Sequence, residues 1–120
     1  MSKDRLAGIS NEIRRALSDI IRNDIKDPRV SEMTSVTHVD VSRDLKYAKV
    51  YISVYDTEKK KKSTIETLTH AEHYIKNELG ARIRIRRLPE MTFILDSSIE
   101  YSSKISEMLK KVSDDDAEQD

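Results

Sequence analysis

The chain has 120 residues, a length for one domain, and 37% apolar residues, enough for one modest core. It has no cysteine and only two glycines, Gly8 and Gly80, which excludes disulfides, thiolate metal sites, cysteine nucleophiles and Gly-rich phosphate loops. No apolar run nears the ~20 residues of a membrane span and no signal-peptide pattern opens the chain, so no membrane partner is expected.

The net charge of zero hides an asymmetry. Asp114, Asp115, Asp116, Glu118 and Asp120 hold five of the 22 acids, so residues 1–113 carry a surplus of five cations. That surplus is clustered at Lys59–Lys62 and at Arg82, Arg84, Arg86 and Arg87. Clustered cations on a small body are the footprint of a polyanion binder. The lysine block reads instead as a solvated loop, because such runs repel themselves.

Leu6, Ile9, Ile13, Ala16, Leu17, Ile20 and Ile21 recur at three- and four-residue spacing, one face of an amphipathic helix that ends before Asp27-Pro28. Two strands follow. Thr37, Val39 and Val41 alternate with His38, Asp40 and Ser42; then Ala48, Val50, Ile52 and Val54 alternate with Tyr47, Lys49, Tyr51, Ser53 and Tyr55. The polar stretch Ser42–Lys46 joins them as an antiparallel hairpin. Ser63 and Glu66 have capping-box spacing, which places a helix start there, with Gly80 as its stop. The apolar phase slips near Ala71–Glu72, where a kink or break is expected. Arg82–Arg86 alternates arginine with isoleucine, an extended segment with cations on one side. Met91–Leu95 follows Pro89 as a third strand. Ser97 and Glu100 form a second capping box for a last helix through Ile105, Met108, Leu109 and Val112, and the acidic tail from Ser113 reads as disordered.

Helix, two strands, a kinked helix pair, a strand and a helix give an α+β domain with a three-stranded sheet and helices on one face. That is the frame of a type II KH domain, a single-strand nucleic-acid fold whose usual Gly-x-x-Gly clamp is absent here. The expected division is a KH-like RNA-binding domain over 1–112 and a tail over 113–120.

A more specific signal comes from an ordered set of segments: Asp27-Pro28-Arg29-Val30, Met33-Thr34-Ser35-Val36, Val41-Ser42-Arg43-Asp44-Leu45 and Ala48–Val54. Ala71, Tyr74-Ile75-Lys76, Leu79, Arg84–Leu88, Pro89-Glu90-Met91-Thr92-Phe93 and Asp96-Ser97-Ser98 complete it. Together these resemble the ribosome-binding factor A family over about residues 5–112. The resemblance implies a KH-like fold with a helix–kink–helix centred on Ala-x-Gly, here Ala71-Glu72-His73 with the glycine absent. It further implies binding to the free 30S subunit and 16S rRNA, assistance with 5′-end processing of precursor 16S rRNA, and support of growth in the cold. A cytoplasmic monomer without cofactor is the corresponding expectation.

The candidate RNA contacts are Arg82, Arg84, Arg86, Arg87 and Lys76, with Arg29 and Arg43 either contacting RNA or bracing a turn. Arginine pairs bidentately with phosphate and stacks on exposed bases, and neutralising phosphates releases counterions. Tyr47, Tyr51 and Tyr55 either form a stacking platform or pack against cross-strand neighbours, the second being the commoner use. His70 and His73 lie one helical turn apart with Glu66 as the best third ligand, a weak basis for a metal site. No carboxylate sits in an apolar setting and no strained nucleophile elbow is present, so no active site is read. The competing function is a protein-interaction module using the sheet face and Tyr51. A ribonuclease lacks its acid–base pair.

Overall fold

The structure is a computed structural model that describes residues 3–96. The second capping box, the last helix and the acidic tail expected from the sequence lie outside the described residues. Six elements follow one another: α1 (Lys3–Asn23), β1 (Thr34–Val41), β2 (Tyr47–Val54), α2 (Glu58–His70), α3 (Glu72–Arg82) and β3 (Glu90–Leu95). The sheet order is β1-β2-β3, with β1 antiparallel and β3 parallel to the central β2. A parallel third strand requires a crossover, and α2 with α3 supplies it.

The α1 face anticipated from the spacing is the one buried, with Ile13, Leu17 and Ile20 fully enclosed. α1 lies against β1 and α3, and α2 lies against β3. Val36, Val39 and Val41 of β1, Ala48, Val50, Ile52 and Val54 of β2, and Met91 and Phe93 of β3 meet these helices. The helices occupy that one face, whereas Ser35, His38, Asp40, Tyr47 and Lys49 point away from it and are exposed.

Three local expectations are corrected. β1 begins at Thr34, and its pairing with β2 shifts between Val36 and His38. Thr37 is the extra residue of this bulge, so Val36 and Val39 are both buried three positions apart, while beyond it the expected alternation holds, with Val39 and Val41 buried and His38 and Asp40 exposed. The Thr37 hydroxyl donates instead to Asp96 Oδ2 at 2.6 Å, tying the bulge to the end of β3.

The second correction concerns α2, which starts at Glu58 rather than Ser63. Thr57 is the N-cap, its hydroxyl accepting from the Lys60 amide at 3.1 Å. Lys59–Lys62 is therefore helical and not a solvated loop. Lys61 is 7% exposed and its Nζ lies 3.0 Å from Glu58, and the Lys60 ammonium donates to the Pro28 carbonyl. Ser63, one turn inside the helix, donates to the Arg29 carbonyl at 2.7 Å. Thr64, fully buried, accepts from the Ser31 amide at 3.0 Å. These bonds fasten the α1–β1 loop to the first turns of α2.

Third, Gly80 is not a helix stop. α3 continues to Arg82 with Ile83 as C-cap, and no glycine has a positive φ. A Cβ at Gly80 would stand 2.9 Å from Leu88 Cδ1, so a side chain here would push the end of Leu88 aside.

Candidate nucleic-acid interface

The helix pair is interrupted at one residue. Ala71 has φ −90° and ψ 7°, and closes α2 while opening α3. This is where the apolar phase slips. Leu68 before the break and Ile75 after it are both fully buried, so the two helices keep one apolar side toward the core across the interruption. Glu72 is half-buried, and its Oε2 accepts from the Met91 amide at 3.1 Å. Glu90 donates its amide to Lys46 of the β2 side, so the next amide, that of Met91, faces the free edge of β3. Glu72 satisfies that edge and joins the break to the sheet. His73 and His70 are exposed, and the described residues hold no cluster of three metal-ligating side chains.

Residues 83–89 connect α3 to β3 outside any strand, entered through an extended Ile83 with φ −126° and ψ 148°. Ile83 and Pro89 are buried, Ile85 is half-buried and Leu88 packs on Gly80. These anchors turn Arg84, Arg86 and Arg87 outward. All three are exposed and form no ion pair among the described residues.

Arg82 has a different fate. Its guanidinium lies 2.9 Å from Asp24, 3.1 Å from Glu78 and 3.3 Å from Asp19, joining α3 to the end of α1. The bond to Asp24 raises its pKa further. Three carboxylates compensate this charge, so Arg82 serves as a brace between helices. Arg29 also braces a turn. Its Nη2 lies 2.7 Å from Asp27 Oδ2, and its Nε and amide both donate to Oδ1. The Arg29 side chain is the main reason the Asp27 carboxyl falls to a pKa of about 2.

Arg43 is exposed on the β1–β2 turn. Asp44 fixes that turn by accepting from the Ser42 hydroxyl and the Lys46 amide, and these bonds lower its pKa. Leu45 takes the left-handed conformation at φ 60°. The turn delivers Lys46 and Tyr47 to a shallow groove of about 310 Å³ shared with Lys76, Arg87, Leu88 and Glu90. Lys76 and Arg87, nominated by the sequence, thus come together with Lys46, which was passed over as a turn residue. Finding Lys46 required the β2/β3 register, since Tyr47 pairs with Glu90 only across a crossover of more than thirty residues.

Of the three tyrosines, Tyr51 is half-buried with its ring 5.7 Å from that of His38 on the neighbouring strand. That is the cross-strand packing alternative. Tyr47 and Tyr55 are 58% and 73% exposed at opposite ends of β2, with Tyr55 just past its end, so no continuous platform exists.

A three-stranded mixed sheet with helices on one face and a helix pair broken at Ala71 defines a KH-like domain. Comparison narrows the class. The family model described as ribosome-binding factor A matches residues 5–109. The ribosome-binding factor A of Caldanaerobacter subterraneus subsp. tengcongensis is 48% identical over 104 residues, covering 87% of this chain and 85% of that protein. The chain belongs to the ribosome-binding factor A family. Among solved structures it is similar to the solution NMR structure of a Thermotoga maritima protein of that description, with a TM-score of 0.71 and 29% identity over 83% of this chain and 94% of that one. It is similar as well to a Thermus thermophilus ribosome binding factor A model fitted into a cryo-EM map of its complex with 30S, with a TM-score of 0.65 and 27% identity over 77% and 96% of the two chains.

Proposed function

We propose that this protein is a non-catalytic assembly factor that docks on the free 30S subunit and assists late maturation of 16S rRNA, including processing of its 5′ end. The observation that carries the reading is the connector after α3, where buried anchors hold Arg84, Arg86 and Arg87 outward with no ion pair among the described residues. Unpaired guanidinium groups fixed on one loop suit phosphates whose positions are themselves fixed, as in folded rRNA. Lys76 and Lys46 extend the same cationic surface. Membership of the family supports the choice of partner, as does the 30S complex described for the Thermus thermophilus relative.

The RNA-binding unit spans residues 1–112, the acidic tail over 113–120 is separate from it, and the protein acts as a cytoplasmic monomer that supports growth in the cold. Arg82 and Arg29 are assigned to the scaffold, leaving Arg84, Arg86, Arg87, Lys76 and Arg43 as contacts. The test is the variant Arg84→Glu/Arg86→Glu/Arg87→Glu, expressed in place of the native protein. Accumulation of 5′-unprocessed 16S rRNA and slow growth in the cold are expected, with the circular dichroism spectrum unchanged. Normal processing by a folded variant would refute the proposal.

A further inference from the structure

The groove between the start of β2 and the start of β3 has a composition that phosphate contacts alone do not explain. Three cations from separate parts of the chain converge there: Lys46 from the turn, Lys76 from α3 and Arg87 from the connector. None has an ion pair among the described residues. Between them stand an exposed aromatic ring, Tyr47, the half-buried Leu88, and one carboxylate, Glu90. Tyr47 and Glu90 are register partners on adjacent parallel strands, so their side chains leave the same face about 5 Å apart. Their successors Ala48 and Met91 both point into the core. Tyr47 makes no ring contact among the described residues, whereas Tyr51 is engaged by His38.

A duplex presents phosphates and would meet repulsion at Glu90. An unpaired nucleotide presents two different ends. Its phosphate suits the three cations, and its base offers a π-face to Tyr47 and a Watson–Crick edge to the carboxylate. An ionised carboxylate only accepts hydrogen bonds. Guanine alone offers it two adjacent donors, N1–H and N2–H, for a paired contact.

We infer that this groove holds a single unpaired guanosine, its base stacked on Tyr47, its Watson–Crick edge on Glu90 and its phosphate among Lys46, Lys76 and Arg87. The inference rests on the RNA-binding reading above and deepens it from a charged surface to a nucleotide-specific pocket. Tyr47 supplies affinity that is insensitive to salt, and Glu90 supplies the choice of base.

The experiment measures fluorescence anisotropy of the full chain with labelled eight-nucleotide single strands of A, C and U whose central position is G, A, C or U. A blunt RNA duplex is the control. The wild type is expected to bind the G strand best. Tyr47→Ala should weaken single-strand binding roughly ten- to a hundredfold, the scale of one base stack, without altering the salt slope or duplex binding. Tyr47→Phe should retain it, Glu90→Gln should reduce the preference for G, and Glu90→Ala should make the four strands equal. Unchanged single-strand affinity in Tyr47→Ala, or equal affinity of the wild type for all four strands, would overturn the proposal. So would a Tyr47→Ala defect on 30S subunits with none on any free RNA, which assigns the groove to a ribosomal protein. The triple arginine reversal separates the two levels. If it loses binding while Tyr47→Ala does not, only the groove assignment falls; if it too binds normally, the RNA reading itself has failed.

Discussion

Replacing Glu72 tests how the break in the helix pair is held. The Glu72 carboxylate does two things: it opens α3 as its first residue and accepts the Met91 amide at 3.1 Å on the free edge of β3. A hydrogen bond to a charged acceptor contributes about 1.5–3 kcal/mol, with the lower end fitting a half-buried site. An acid in the first turn of a helix adds about 0.3–1 kcal/mol. Alanine's better helix propensity returns a few tenths of a kcal/mol. Glu72→Ala should therefore destabilise the protein by about 2 kcal/mol, or a fall in Tm of roughly 8 °C at about 4 °C per kcal/mol. Glu72→Gln keeps an acceptor and loses only the charge, so its cost should be about half as large or less. Guanidinium denaturation with extrapolation to water measures both. A Glu72→Ala variant within about 0.5 kcal/mol of wild type, or a Glu72→Gln variant as unstable as Glu72→Ala, would refute this account of the break.

Thr64→Val removes the acceptor for the buried Ser31 amide and should cost about 1–3 kcal/mol in urea denaturation, whereas Thr64→Ser should cost markedly less. Gly80→Val would bring a Cβ to 2.9 Å from Leu88 Cδ1 and should displace that side chain, shifting the NMR resonances of Leu88 and Arg87 while leaving stability within about 1 kcal/mol of wild type. Because the folded-state pKa of Asp27 is depressed to about 2 from the usual 3.8, its contribution is complete above about pH 4 and is lost as the pH falls toward 2. The denaturant midpoint should drop across that window, and the Asp27→Asn variant should show a shallower drop.

The sequence disclosed the fold wherever burial imposes a period. The α1 stripe, the β2 alternation and the phase slip at Ala71 each record which residues face one core, so their spacing transmits the geometry directly. β1 concealed its bulge because Thr37 is as good a strand residue as a core valine, and only the Thr37–Asp96 bond across the sheet shows why the extra residue is there. The α2 start was misplaced because Ser63 and Thr64 resemble cap residues, yet they serve the distant Arg29 carbonyl and Ser31 amide. Gly80 has the composition of a helix end, yet α3 runs on through it to Arg82.

The site was legible in part for the same reason. Alternating Arg and Ile marks anchored and outward residues, which identified Arg84 and Arg86 without any structure. Charge alone does not distinguish a free arginine from a paired one, and two of the three carboxylates around Arg82, Asp19 of α1 and Asp24 just past its end, are more than fifty residues away in sequence. Lys46 and Tyr47 join Lys76 and Arg87 only through the parallel register of β2 and β3, which leaves no mark in either strand.

The most direct test of the central claim is co-sedimentation of the full chain with purified free 30S subunits over a fourfold range of monovalent salt. At ~0.7–0.9 per neutralised phosphate, Arg84, Arg86 and Arg87 together contribute about 2–3 to the log–log salt slope, or a loss of about 20- to 40-fold in affinity across that range. Saturable binding of the wild type that weakens by at least this much, and a slope lowered by about 2–3 in the triple arginine reversal, is the predicted result. Binding that is indifferent to salt, or equally strong to 30S subunits with and without the reversal, would contradict it.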